Sequence, residues 1–184
     1  MTALLGGTFD PPHNAHVALA RAVRDQFAPE RLVILVAARP RHKDVELDAS
    51  TRLRLAQAAF PGEEVVLDEH ERTVDTLEHG PWRDPLVVIG ADQFCDFLTW
   101  KDPDGVLERA RLAVATRPGY PRERLDAVLE RLDQPERVLF FDLDPIPISS
   151  RDLRERVARG ESIDGLVPSA VAALVSELGL YRST

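Results

Sequence analysis

Six short apolar runs, Ala3–Leu5, Leu32–Ala37, Val65–Leu67, Leu86–Ile89, Leu112–Ala115 and Val138–Phe141, alternate with longer amphipathic stretches. No other feature constrains the fold as strongly. The runs are rich in Val, Ile and Leu without polar alternation, as strands covered on both faces require. Between them, Val17–Gln26, Ser50–Phe60 and Arg122–Leu132 carry apolar residues three and four apart, which predicts helices. A β-α-β-α order gives a parallel sheet with helices on both faces, an α/β, doubly wound architecture. No repeat, low-complexity tract or Pro/Gly-rich linker divides the 184 residues, so a single domain over 1–184 is expected.

The last third changes character. Two prolines in Asp144-Pro145-Ile146-Pro147-Ile148 exclude a helix interior there. Ser149 and Ser150 then stand before Arg151–Arg159, serine being a preferred N-cap, and Gly160 fits the C-terminal stop. Val171–Leu178 reads as a final helix closed by Gly179. These C-terminal helices, within residues 149–184, are expected to cap the carboxyl edge of the sheet.

Composition narrows the function classes. With 23 Lys plus Arg against 31 Asp plus Glu the net charge is −8, and an acidic surface repels a polyanion, which disfavours nucleic acid as a partner. The single cysteine, Cys95, removes any disulfide framework and any cysteine-based zinc cluster. No apolar run approaches the roughly 18 residues that a membrane span needs, and Met1–Leu5 lacks the pattern of a signal peptide. A cytoplasmic protein with no membrane partner is the expectation, and a homo-oligomer stays open. Twenty-one of the 23 cationic residues are Arg, which singles out the two lysines, Lys43 and Lys101.

Gly6-Gly7-Thr8-Phe9-Asp10-Pro11-Pro12-His13-Asn14-Ala15-His16 is the segment richest in chemistry. A first strand runs into two glycines, which allow close backbone approach to a ligand. Two prolines turn the chain, and a helix begins with imidazoles three residues apart. Helix N-terminal N–H groups favour an anion, and the histidines add donors at the same place. After strand one of a doubly wound sheet, phosphate is the expected ligand. A glycine turn with two incidental histidines is the plainer alternative. Zinc is disfavoured, because no Glu lies between the histidines and no cysteine supports them.

The segment resembles the first motif of the nucleotidyltransferase superfamily with the (H/T)xGH signature, and the resemblance extends along the chain to the bacterial nicotinate-nucleotide adenylyltransferases. Arg39-Pro40-Arg41-His42-Lys43 resembles that family's Pro-Pro-His-Lys loop, and Thr73-Val74-Asp75-Thr76-Leu77 its Thr-x-x-Thr-Leu helix start. Gly90-Ala91-Asp92 with Thr99-Trp100 resembles its Gly-Ala-Asp…Trp segment. Arg117-Pro118-Gly119-Tyr120, Ile148-Ser149-Ser150-Arg151-Asp152-Leu153-Arg154 and Gly179-Leu180-Tyr181 match later motifs. The ordered set is far more specific than the first motif alone. Departures occur too. Ala15 stands where the signature has Gly, Arg151 replaces a Thr, Glu71-Arg72 stands where the family has Pro-Ser-Tyr, and Lys101 follows Trp100 where relatives often have Tyr.

The resemblance implies a Rossmann-like nucleotidyltransferase fold and in-line attack of a mononucleotide's phosphate on the α-phosphorus of ATP, with Mg²⁺ bridging the phosphates and no protein ligand set for the metal. His13, His16, Lys43 and Arg154 would be catalytic. Gly6, Gly7, Thr8, Phe9, His13, His16, Gly90, Asp92, Ser149, Ser150 and Arg154 would hold ATP, the C-terminal part completing its site. Thr73, Trp100 and Lys101 would hold a pyridine mononucleotide. Trp100 has core packing as its alternative, Lys101 a solvated position and Asp92 a helix-capping role. Arg117 is left off the site, and His70 and His79 read as surface residues. The rival functions are transfer to the amide mononucleotide, phosphopantetheine adenylyl transfer, and a nucleotide-binding module that has lost turnover.

Overall fold

The computed structural model describes residues 1–41 and 45–182, and all six apolar runs form strands in it. They are β1 (Thr2–Gly7), β2 (Arg31–Ala37), β3 (Glu64–Asp68), β4 (Leu86–Gly90), β5 (Arg111–Thr116) and β6 (Val138–Asp142). All pair in parallel in the order β3-β2-β1-β4-β5-β6. The helices are α1 (Asn14–Phe27), α2 (Ala49–Ala59), α3 (Thr73–His79), α4 (Ala91–Cys95), α5 (Pro103–Arg109), α6 (Arg122–Leu129), α7 (Ser150–Ala158) and α8 (Ser169–Glu177). The short α4 and α5 carry too few turns for a periodicity to show in sequence.

Alternate strand residues feed two cores, which is why the strands lack polar alternation. Ala3, Leu5, Ile34 and Val36 pack on one face with Val23 of α1, Leu55 of α2, Leu153 of α7 and Val171 of α8. Leu4, Val33, Leu35 and Val114 pack on the other face with Val74, Phe94, Val106 and Leu125 of α3–α6. The C-terminal pair α7 and α8 therefore shares a face with α1 and α2. Ser149 is the N-cap of α7, its hydroxyl accepting from the Asp152 N–H at 3.1 Å, and Gly160 follows the helix at φ 73°.

One buried polar contact ties the ends of this layer together. Asp10, 2% exposed, accepts from the Tyr181 hydroxyl at 2.6 Å and from the Glu46 N–H at 2.8 Å. Burial and donation to Asp10 both push the Tyr181 pKa far up, so the hydroxyl keeps its proton. Its contribution to stability is fully present below the ordinary tyrosine value near pH 10 and declines above it. Tyr181→Phe leaves a buried carboxylate oxygen without its donor. We expect a loss of about 2 kcal/mol, or roughly 4–8 °C in Tm for a domain of this size, checked by thermal unfolding. An unchanged Tm would mean that water replaces the hydroxyl at no cost.

Candidate active site

The strand order reverses direction between β1 and β4, and a crevice opens at their carboxyl ends, where α/β sheets of this kind take ligands. Leu5 lies opposite Val88, and continuing that register sets Gly7 beside Gly90. A Cβ at Gly6 would meet nothing within 4 Å, and one at Gly90 only Gln93 Oε1 at 4.0 Å. The fold does not require glycine at either position, so the crevice floor is open where both sit. Gly7 differs: a Cβ there would lie 2.6 Å from the Phe9 ring.

That ring builds one wall. Phe9 is buried at φ 54° and packs edge-on against His16, centroids 5.1 Å apart. Its ring supports the His16 imidazole. His13 is the N-cap of α1 and its N–H donates to His16 Nδ1 at 3.2 Å. An accepting Nδ1 leaves the neutral ring's proton on Nε2. The two imidazoles stack at 3.8 Å. His13 therefore sits one step before the first helical turn, while His16 lies within it.

The second wall is the start of α7. Ser150 Oγ donates to the Pro11 carbonyl at 2.8 Å, and Arg154 Nη1 donates to the Asp10 carbonyl at 2.8 Å. Arg154 Nε also reaches Glu46 Oε1 at 2.9 Å, with the side chain only 14% exposed. Asn14 is held from the α7–α8 connection, its N–H donating to Leu166 O at 3.0 Å and its Nδ2 to Gly165 O at 2.8 Å. Two helix N-termini, two imidazoles, the Ser150 hydroxyl and a guanidinium thus converge on one loop, while the Ser149 hydroxyl is turned to Asp152 of its own helix. Beside the Glu46 carboxylate paired with Arg154, this wall carries N–H donors, hydroxyls and a cation, groups suited to phosphate oxygens.

Across β4, Asp92 lies in the first turn of α4 and accepts from the Tyr120 hydroxyl at 2.9 Å. Gly90, not Asp92, is the cap residue of that helix. Tyr120 also contacts Cys95 Sγ at 3.5 Å, and this contact, burial and Asp92 together raise its pKa. Beyond β3 lies a cleft of about 490 Å³ lined by Arg41, His70, Glu71 and Arg72, with Asp75, His79 and Lys101 completing it. Lys101 Nζ reaches both oxygens of Asp75, at 2.7 and 3.0 Å, and this pairing holds the Asp75 carboxyl below the ordinary aspartate range. Thr73 opens α3 beside the cleft residue Arg72. Trp100, half-buried, packs edge-on against Phe97 at 5.2 Å.

Comparison with known proteins decides the family. The cytidylyltransferase-like family model matches residues 4–156. A Rubrobacter xylanophilus protein named "probable nicotinate-nucleotide adenylyltransferase" is 34% identical over 98% of this chain and 91% of its own. A Moorella thermoacetica protein of the same name is 36% identical over 97% and 90%. The chain belongs to the nicotinate-nucleotide adenylyltransferase family. Among solved structures, Plasmodium falciparum nicotinic acid mononucleotide adenylyltransferase complexed with NaAD superposes with a TM-score of 0.74. It covers 98% of this chain and 96% of its own at 15% identity, so that likeness speaks for the fold.

Within this family member, the structure gathers His13, His16, Ser150 and Arg154 around one loop, with Ser149 capping the adjoining helix, and places Gly6 and Gly90 at the open crevice. The Thr8 carbonyl faces inward, accepting from Arg52 Nη1 at 3.0 Å. Lys43 lies outside the described residues. His79 is exposed and His70 partly so, as surface residues, and their rings stack at 5.1 Å, with His70 paired to Asp68 at 3.2 Å. Sequence reading missed Asp10, Glu46, Arg52, Tyr120 and Tyr181. Their signals were faint, since a lone Arg on a helix or an Asp inside a glycine-rich motif does not declare its burial.

Proposed function

We propose that the chain transfers AMP from ATP to nicotinate mononucleotide, giving deamido-NAD and pyrophosphate, as a cytoplasmic step of NAD biosynthesis. The carrying observation is the junction at the β1/β4 crevice, where Ser150 and Arg154 of α7 donate to the Pro11 and Asp10 carbonyls of the loop that leads into α1. A phosphate oxygen of the mononucleotide forms the new bond to the α-phosphorus, and the bond to the β-phosphate oxygen breaks, its electron pair leaving with pyrophosphate. An anionic phosphate needs no base to activate it, so the chain contributes alignment and charge neutralisation.

His16 takes the α-phosphate oxygens, His13 flanks it, and Ser149, Ser150 and Arg154 hold the triphosphate tail. Mg²⁺ accompanying ATP would supply charge neutralisation on the phosphates, with no ligand set demanded of the protein. The donors here fit that division: Asp10, the one carboxylate within the loop, already accepts from Tyr181 and Glu46. Asp92, oriented by Tyr120, accepts from a ribose hydroxyl. Trp100 offers a face to the pyridine ring, and Thr73 hydrogen-bonds its carboxylate.

The test is purified protein with ATP, Mg²⁺ and either the acid or the amide mononucleotide, following pyrophosphate and dinucleotide. Product from the amide alone would favour the rival acceptor. ATP binding without product from any acceptor would favour the binding module. The Lys101–Asp75 pair sharpens the acceptor question, because Asp75 already neutralises the cation. Lys101→Ala is expected to lower the acid-over-amide ratio of kcat/KM only about three- to fivefold, the scale of one exposed, screened charge. An unchanged ratio would return Lys101 to a solvated role.

A further inference from the structure

Arg52, on the inner face of α2, is 1% exposed and carries a charge with no carboxylate in ion-pair range among the described residues. It spends its donors on main-chain oxygens instead. Nη1 donates to Ala37 O at 2.7 Å and to Thr8 O at 3.0 Å. Nη2 donates to Ala38 O at 3.1 Å, and Nε to Leu47 O at 3.1 Å. These oxygens lie on the exit of β1, the exit of β2 and the approach to α2. One planar fork therefore sets the spacing between the two strand exits. The loop after β1 carries His13 and leads into the first turn of α1, which holds His16, and the segment after β2 carries Arg39 and Arg41.

Burial disfavours the charged form and lowers the Arg52 pKa, while Asp10 and Asp48 oppose that shift. Burying a guanidinium without a contacting carboxylate is a costly way to stabilise a fold, and an apolar side chain of similar volume commonly does as well. What an apolar side chain lacks is the fork. We propose that Arg52 is a positioning residue for adenylyl transfer, fixing the phosphate loop relative to the exit of β2 through the carbonyls of Thr8, Ala37 and Ala38. This rests on the adenylyl-transfer reading above. Misplacing reacting groups by about 1 Å costs on the order of 100-fold in rate, so a loosened fork should register in turnover.

In Arg52→Met, kcat per folded molecule should fall about 30-fold with both KM values within threefold. Arg52→Lys, which keeps the charge and a subset of the bonds, should recover part of that loss. Hydrogen exchange supplies a readout independent of turnover: amides in residues 8–16 and 37–41 should exchange at least tenfold faster in Arg52→Met. Residues 111–116 and 138–142 should keep their wild-type rates. A folded Arg52→Met with normal kcat, or with exchange accelerated uniformly across the sheet, would overturn the assignment. So would collapse of both variants, which would make Arg52 a folding residue. If the wild-type protein forms no dinucleotide, adenylyl transfer fails as the reading. The exchange pattern then still decides whether Arg52 fixes the two exits.

Discussion

His16→Ala is expected to lower kcat by about 1,000-fold, equivalent to about 4 kcal/mol of transition-state stabilisation, with the fold intact. The magnitude follows from how the ring is held. The His13 N–H at 3.2 Å fixes the tautomer, the His13 ring stacks on one side, and Phe9 meets it edge-on. A donor so constrained pays little reorganisation as charge builds on the α-phosphate oxygens. Alanine removes the donor and also the acceptor for the His13 N–H, a capping contact whose loss costs stability by about 1 kcal/mol. Single-turnover rates and a urea unfolding curve separate the two effects. A folded variant within tenfold of wild-type kcat would remove His16 from the phosphate role.

Arg154→Met should cost about 100-fold in kcat/KM for ATP, in line with a guanidinium that meets transferring phosphates. Nε and Nη1 are committed to Glu46 and the Asp10 carbonyl, which leaves Nη2 without a protein acceptor among the described residues. Methionine keeps much of the packed stem and removes the fork, so the loss reports the head group rather than the packing. KM for the mononucleotide should change far less than KM for ATP. Calorimetric ATP affinity checks the assignment directly, and equal losses toward both substrates would point to a general collapse of the loop.

The comparison of sequence with structure divides by physical scale. All six strands were legible because a strand buried on both faces must be apolar throughout, and the long helices because their faces repeat. The first motif and the Ser149-Ser150 start of α7 were legible because glycine, proline and N-capping serine act locally. The interplay between them was not. Nothing within a few residues of Arg52 announces that its donors reach Thr8, 44 positions away. Nothing near Asp10 announces Tyr181. Phe9 reads as part of a ligand motif, and nothing beside it in sequence announces that its buried ring packs against His16. Lys101 likewise reads as a free cation until Asp75, 26 residues earlier, is placed against it.

The contact from Tyr181 back to Asp10 spans 171 residues and gives the site a timetable. At roughly 5–20 residues per second, ribosomal synthesis leaves the phosphate loop without that brace for roughly 10–30 seconds. Ser150 and Arg154 arrive late as well. On the proposed reading, the α7 donors to the triphosphate are missing while the first β-α units take shape. A nascent or stalled chain would thus hold ATP weakly, and nucleotide capture becomes one of the last events in the life of the folding chain. On the proposed reading, affinity for ATP would wait for residues made after the last strand, β6, is complete.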